Sequence, residues 1–595
     1  MGRTLFRLHL NWIKSGHRMT NTLPKILTVL TCSALFGCSS LVNPPSQPQL
    51  APAKGTSLLH CSALLSFSFP NTAITAARPL SAGTLNNGGQ PVPEHCLVTG
   101  EMNRRTSSLD GQSYAIGFEM RLPRDWSGRF LYQGNGGTDG VVATADGGSA
   151  LGSGGILRNA LQQGFAVISS DAGHTSAQNP LFGRDPQARL DYGYMAVGSL
   201  TPMAKTLIKV AYGKGPDRSY IGGTSNGGRH ALVAASRYAT DYDGILANAP
   251  GIYLPRASVA NMSHVKRWAT VATTQVVNGQ PDYESALPKP ERQLIAKAIL
   301  ARCDALDGSV DGLVQDAQAC RTAFDLARDV PTCSGNRDGT CLSAAQKDIL
   351  AAVFAPVRLA NGELFYPGFP FDPGIEQPGW AEWKFRSSVR TARNPVSVGY
   401  IFSTPPSSDL SMATDSFRAA AYALNFDIER EAPKIFATNN LYTESGIALM
   451  SPPNATQLDG LRQRGGKIIV VHGTSDPIFS IDDTAAWFKA LDAYHAGKAN
   501  GFARFFPVPG MGHSRGGPAT DQFDALTALV DWVEFGRAPD RIEATSRGPG
   551  NLGGANPDVP SHWPGHRSRP LCPYPLVARY QSGDKEQAAN YACTR

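Results

Sequence analysis

A serine, an aspartate and a histidine stand along the chain in the order Ser225, Asp476, His513, each in a setting suited to ester or amide hydrolysis. Ser225 lies in Gly223-Thr224-Ser225-Asn226-Gly227, the Gly-x-Ser-x-Gly spacing of a nucleophile elbow. A serine held at a sharp strand-to-helix turn has a strained backbone, and a Cβ two residues to either side would collide with that turn. An unactivated hydroxyl is a poor nucleophile and needs a base, which in turn needs an orienting carboxylate. His513 ends Pro509-Gly510-Met511-Gly512-His513, and Asp476 ends Gly473-Thr474-Ser475-Asp476. Both follow short apolar segments, in the chain order that such hydrolases use. Of the 12 histidines, His472 falls inside its apolar segment and His230 on the helix after the elbow, which are positions for packing or for a satisfied core polar group. A Gly-rich turn would explain Ser225 alone, and a turn-capping aspartate would explain Asp476 alone. Neither explains all three in order.

Negative charge that develops on an attacked carbonyl needs two main-chain donors. One is the N–H of Asn226, directly after the nucleophile. The other is expected from Gln133-Gly134-Asn135-Gly136-Gly137, with Asn135 the first choice. A second chemical signal is Asp304-Ala305-Leu306-Asp307-Gly308-Ser309-Val310-Asp311-Gly312-Leu313. Its three carboxylates repel one another unless a cation joins them, and Ca²⁺ takes such a set with backbone carbonyls. The spacing is not that of an EF-hand, and by itself it leaves a solvated acidic loop open.

These groups need a scaffold. Ser219 to Gly222 reads as a strand feeding the elbow, and Arg229 to Arg237 as the helix leaving it. Gly128 to Tyr132, Phe165 to Ser170, Asp243 to Asn248, Lys467 to His472 and Phe502 to Val508 read as further short buried strands. Asp191 to Tyr212 and Asp521 to Phe535 read as helices. Strands alternating with helices predict a mostly parallel sheet covered on both faces. The alternation stops between Pro255 and Gln463, a span holding four cysteines, many prolines and the aromatic cluster Trp380, Trp383 and Phe385. The fold class is therefore α/β: an α/β-hydrolase core, residues 57–254 and 464–595 with its C-terminal tail, interrupted by a lid domain, residues 255–463.

At 595 residues, 42% hydrophobic and 17% charged, the chain exceeds one ordinary core. Its net charge of +7 comes with no run of Lys and Arg dense enough to track phosphates, so nucleic acid is excluded as a partner. A monomer is expected. Residues 1–38 read as an export signal, in which Lys25 precedes the apolar run Ile26 to Phe36, too short to span a bilayer. Leu35-Phe36-Gly37-Cys38 resembles a lipoprotein cleavage site, with ordinary signal cleavage as the alternative; Met19 is a plausible start, and residues 39–56 form a Pro-rich tether. The expected destination is the periplasm, an outer-membrane lipid anchor, or the medium. Eight cysteines remain, an even count that suggests disulfides in an exported chain. Pairing sequence neighbours gives Cys61–Cys96, Cys303–Cys320, Cys333–Cys341 and Cys572–Cys593.

Gly-Thr-Ser-Asn-Gly-Gly around Ser225, His-Gly-Thr-Ser-Asp ending at Asp476, Pro-Gly-Met-Gly-His ending at His513, and the acidic loop resemble the tannase/feruloyl esterase family. The resemblance runs from about Cys61 to Cys593, and Phe182 to Asp191 and Arg569 to Pro575 are especially similar to its terephthalate-monoester branch. It implies esters of aromatic acids as substrates, with Leu254, Ile478 and Phe479 at pocket positions. It also implies structural Ca²⁺ on the side chains of Asp304, Asp307 and Asp311 and the carbonyls of Ser309 and Leu313. The chain departs from the family at Thr224 and Ser514, where relatives carry a cysteine pair; the two hydroxyls are expected to pack together. The lid stretch Arg386 to Ser403 does not reproduce the Arg and Phe that grip a terephthalate carboxylate, though Arg386, Arg390 and Arg393 are candidates. The expectation is an exported serine esterase acting on a small aromatic ester. The competing class is a surface-anchored, non-catalytic binding lipoprotein that retains the fold.

Overall fold

Lys467-Ile468-Ile469-Val470-Val471-His472-Gly473 is buried at every position, as are Gly244–Asn248 and Ala166–Ser170. Strands buried on both faces must lie inside a sheet covered on each side. A computed structural model of the chain describes residues 47–276, 279–389 and 393–595; the signal and lipoprotein site, the start of the tether, and Arg390 lie outside them. Residues 47–595 form one compact unit.

Nine strands build the main sheet: β1 (Thr72–Leu80), β2 (His95–Thr106), β3 (Ser113–Pro123), β4 (Arg129–Gly134), β5 (Ala166–Ser170), β6 (Arg218–Thr224), β7 (Gly244–Asn248), β8 (Lys467–Gly473) and β9 (Ala503–Val508). Their spatial order is β9-β8-β7-β6-β4-β5-β3-β2-β1. Neighbours from β9 to β5 run parallel, while β5–β3, β3–β2 and β2–β1 are antiparallel. The antiparallel extension begins at Thr72, far upstream of the strand that the sequence shows at Gly128.

Side-chain alternation divides the interior. Phe130, Tyr132, Ile221, Ile245, Ile468, Val470 and Phe505 belong to one apolar core, and Leu131, Tyr220, Leu246, Ile469, Val471 and Phe506 to a second on the other face. Helix α1 (Ala196–Tyr212), α2 (Asn226–Arg237) and, later in the chain, α5 (Ile481–Tyr494) pack in the first core, and α6 (Ala525–Phe535) in the second. The chain is thus an α/β-hydrolase fold, and the candidate site residues Ser225, Asp476 and His513 follow the C-terminal ends of its strands.

Between β7 and β8 the chain leaves the sheet for short helices, among them α3 (Leu254–Ser263) and α4 (Lys289–Cys303), and one two-stranded ribbon. Four disulfides join Cys61–Cys96, Cys303–Cys320, Cys333–Cys341 and Cys572–Cys593, the pairing of sequence neighbours. They fit an extracellular protein. Among the described residues no helix is long and apolar enough to cross a membrane.

Candidate active site

Ser225 stands between β6 and α2 with φ 65° and ψ −122°, backbone that a non-glycine residue adopts only where its surroundings enforce it. Its N–H donates to the Asn248 carbonyl at 2.9 Å. A Cβ on Gly223 would lie 2.3 Å from the Gly227 carbonyl carbon, and one on Gly227 would lie 2.3 Å from the Gly134 oxygen. Both glycines are therefore steric necessities, and the second contact brings the Gly134 loop against the elbow.

The loops after β8 and β9 complete a hydrogen-bonded row. His513 Nε2 is 2.9 Å from Ser225 Oγ, and His513 Nδ1 is 2.7 Å from Asp476 Oδ2. Asp476 is 3% exposed, and its Oδ1 accepts from the N–H groups of Ile478 and Phe479 at 2.8 and 3.1 Å. Burial pushes this carboxyl up, but attraction to His513 and hydrogen bonds from His472 and His513 outweigh it and hold the group well below its ordinary value. The arrangement can take a proton from Ser225 Oγ onto Nε2 while the carboxylate stabilises the cation formed.

His472, read from its place inside a strand as packing or a satisfied core polar group, is the latter, 0% exposed with both ring nitrogens partnered. Its Nε2 lies 3.2 Å from Asp476 Oδ2 and 3.0 Å from the Phe479 carbonyl, and its Nδ1 lies 2.8 Å from Thr484 Oγ1. A carbonyl only accepts, so Nε2 carries the proton and Nδ1 accepts from the hydroxyl. The ring thus holds the same carboxylate oxygen that His513 does. The segment between β7 and β8 grips the same loop: Asp372 accepts from Thr474 Oγ1 at 2.6 Å and from Ser475 Oγ, and Lys384 Nζ donates to the Pro477 carbonyl at 3.2 Å. Burial pulls the Lys384 ammonium down to about 7, with the Asp476 charge opposing.

Leu254, Ile478 and Phe479 line one pocket together with Ser225, His513, Tyr192, Trp383, Phe402 and Arg393. Trp383 and Phe479 set their rings edge-on to the His513 ring, with centroids 5.0 and 5.4 Å away. Arg393 lies over Trp383 at 4.5 Å and is the one arginine or lysine among the described residues lining this pocket. A second cavity opens beyond His513 and Trp383, bordered by Arg515, Asn556 and Asp558.

Asn135 turns its side chain away from the elbow, with Nδ2 donating to the Ser170 carbonyl at 2.7 Å and Ser169 Oγ at 2.9 Å. Gly136 sits against the nucleophile, since a Cβ on it would stand 3.9 Å from Ser225 Cβ. Asn226 opens α2, where main-chain N–H groups have no partner within the helix. Thr224 Oγ1 donates to the Ser149 carbonyl at 3.0 Å, and Ser514 Oγ is buried without a partner. The two hydroxyls therefore do not bond each other: Thr224 gives its proton to the Ser149 carbonyl instead.

In the acidic loop, Asp304 Oδ1 accepts from the N–H groups of Asp311 and Gly312 at 3.0 and 3.1 Å. Asp307 Oδ1 accepts from Ser309 N–H at 2.9 Å, while its Oδ2 is buried without a partner. Burial pushes Asp307 up to about 7, and the charges of Asp311 and Asp304 add to it. Asp311 Oδ1 accepts from Leu313 N–H at 3.0 Å, and its Oδ2 accepts from Arg569 and from Tyr591 O–H. Among the described residues no three His, Cys, Asp or Glu side chains gather into a metal site by themselves. A cation here would need the backbone carbonyls of Ser309 and Leu313, and the orphaned Asp307 oxygen fits one.

Residues 96–594 match the family described as Tannase and feruloyl esterase. The chain belongs to the tannase and feruloyl esterase family. This family member is 38% identical over 559 residues to the mono(2-hydroxyethyl) terephthalate hydrolase of Piscinibacter sakaiensis, covering 88% of this chain and 89% of that protein. It is 31% identical over 602 residues to an uncharacterised esterase of Agrobacterium fabrum, covering 95% and 98%. The crystal structure of feruloyl esterase B from Aspergillus oryzae is similar with a TM-score of 0.67 at 23% identity, over 90% of this chain and 99% of that one; at that identity the likeness speaks for the fold alone. The family member is a carboxylic ester hydrolase.

Proposed function

We propose that the chain is an exported serine esterase that cleaves esters of aromatic acids through Ser225, His513 and Asp476. The observation that carries this reading is the unbroken row from Ser225 Oγ through His513 to Asp476, opening on an aromatic-lined pocket. Ser225 Oγ attacks the ester carbonyl while its proton passes to His513 Nε2. The N–H groups of Asn226 and of the Gly134–Gly136 loop receive the oxyanion. His513 then protonates the departing alkoxide, leaving an acyl group on Ser225. Water attacks that group with His513 again as base, which releases the acid and restores the serine.

The acid half occupies the pocket of Leu254, Ile478, Phe479 and Trp383, and the alcohol half leaves toward the cavity beside Arg515. The relative from Piscinibacter sakaiensis is named for a terephthalate monoester, which carries a free carboxylate, and Arg393 supports such an anionic acid half. Ca²⁺ held by Asp304, Asp307 and Asp311 with the carbonyls of Ser309 and Leu313 would neutralise the loop; it supplies no step of the reaction. Export, with or without a lipid on Cys38, accords with four disulfides. A panel of methyl gallate, methyl ferulate, a terephthalate monoester and phenyl acetate tests the reading. Turnover of at least one aromatic-acid ester, abolished in Ser225→Ala, is expected; no turnover of any of them would sink it.

A further inference from the structure

The loop that brings main-chain N–H groups to Ser225 is bent by left-handed backbone at Gly137 (φ 67°), Asp139 (φ 52°) and Gly140 (φ 87°). Two of these are glycines, for which that backbone is free. Asp139 is not, although aspartate is among the non-glycine residues that adopt it most readily. Its side chain is 1% exposed and faces inward. Oδ2 accepts from Asn226 Nδ2 at 2.9 Å and lies 2.9 Å from His230 Nε2. Asn226 Oδ1 accepts in turn from Arg229 Nε and Nη2 at 2.9 and 2.6 Å. The Asp139 N–H donates to the Gly136 carbonyl at 3.2 Å, and its carbonyl accepts from Asn179 Nδ2 at 3.2 Å.

Asn226 and the Gly134–Gly136 loop are the two sources of oxyanion donors in the proposed reaction, and no covalent link sets their separation. Backbone contact between Gly134 and Gly227 fixes one end of the loop. At the other end His174, Asn179 and Tyr192 hold the loop's carbonyls, and Asp139, 87 residues from Asn226 in sequence, is the loop side chain that bonds Asn226 itself. Donors must stand within about 2.7–3.1 Å of the oxyanion to be worth ~10²–10³ in rate, so the spacing between the two segments is itself catalytic equipment.

We propose that Asp139 is a positioning residue of the oxyanion hole, whose carboxyl group locks the Gly134–Gly140 loop to Asn226. The proposal rests on the Ser225 esterase reading. Because Asp139 acts through the Asn226 side chain, truncating either partner releases the same clasp. Asparagine at 139 tolerates the left-handed backbone and keeps an oxygen to accept from Asn226 Nδ2, so it should preserve most of the clasp.

The test measures kcat, KM and thermal melts for Asp139→Ala, Asp139→Asn, Asn226→Ala and the Asp139→Ala/Asn226→Ala double variant on one aryl ester. An arylboronic acid, which adds to the serine as a tetrahedral anion, reports the oxyanion hole directly. Asp139→Ala and Asn226→Ala should each lower kcat by ~10²–10³ with KM within about threefold, and weaken the boronate in parallel. Asp139→Asn should keep at least about a tenth of kcat, and the double variant should be little worse than either single one. A folded Asp139→Ala with kcat and boronate affinity within about threefold of the parent overturns the proposal. Should Asp139→Ala fail to fold, full kcat in Asn226→Ala overturns it instead. Turnover surviving in Ser225→Ala would remove the esterase reading, whereas an inert Ser225→Ala beside an unimpaired Asp139→Ala removes only this one.

Discussion

Ser225, His513 and Asp476 are expected to act as one unit, so losing either of the first two should cost nearly the whole chemical step. Ser225→Ala and His513→Ala should each reduce turnover by ~10⁴–10⁶-fold with melting temperatures close to the parent. A His513→Ala enzyme keeping more than about a tenth of the activity would show that another base serves. Arg393 makes a sharper test of substrate class. Arg393→Ala should raise KM for a terephthalate monoester by ~10-fold, about the worth of one charge-assisted contact at a partly open site, and leave methyl ferulate nearly unchanged. Equal losses on both esters would mean that Arg393 shapes the pocket without reading charge. The three members of the row were legible because each stands where an apolar segment meets a glycine-marked turn. His472 and Asp139 carried no such mark. His472 reads as a strand residue until the loop 473–479 folds Asp476 back onto it, and Asp139 meets Asn226 only across the fold.

At the scale of elements, the parallel half of the sheet was legible and the antiparallel half was not. Strands β4 to β9 are short apolar runs closed by glycine, as burial on both faces requires. Strands β1 to β3 have one open face and carry Arg, Glu and Thr among their apolar residues, which blurs the signal. The helices between β7 and β8 are short and irregular, and their packing partners lie too far along the chain for periodicity to reveal. One junction of this segment with the helices of the sheet has a measurable signature. Asp483, in the first turn of α5, is 7% exposed, and burial pushes it up to about 7, with Arg256 of α3 opposing. An unfolded aspartate titrates near 4, so between about pH 4 and 7 the folded chain holds a proton that the unfolded chain releases. Stability therefore falls as pH rises through this window. Asp483→Asn removes that loss, so its gain in melting temperature over the parent should be larger at pH 8 than at pH 5, by up to ~2–3 kcal/mol in free energy. Equal gains at both pH values would place the Asp483 titration outside the window.

At the scale of the whole molecule, the C-terminal tail fastens the acidic loop. Arg569 and Tyr591 bond the Asp311 carboxylate, Arg567 donates to the Asp311 carbonyl, and Lys585 Nζ donates to the Val310 carbonyl at 2.9 Å. Arg579 reaches the Leu306 carbonyl at 2.9 Å. The tail's side-chain grip on a loop more than 250 residues upstream has no local signal in its sequence. If Ca²⁺ occupies the loop, chelation leaves Asp304 and Asp307 facing each other, and the lost binding free energy lowers the melt by mass action. Asp307→Ala should abolish the difference between melts with and without chelator. The Cys572–Cys593 bridge, with a sequence separation of 21, should contribute ~3 kcal/mol, and Cys572→Ser/Cys593→Ser should forfeit much of it. Both perturbations act on one junction: a tail freed of its bridge holds Asp311 less firmly, so a cation site in the loop would already be loosened. Their combined effect should differ from the sum of the separate effects by ~0.5–3 kcal/mol, measured as melts of the parent and the double serine variant in Ca²⁺ and in chelator. Strict additivity would mean that tail and loop are stabilised independently, and the tail's contacts with residues 306–311 would then carry no coupling.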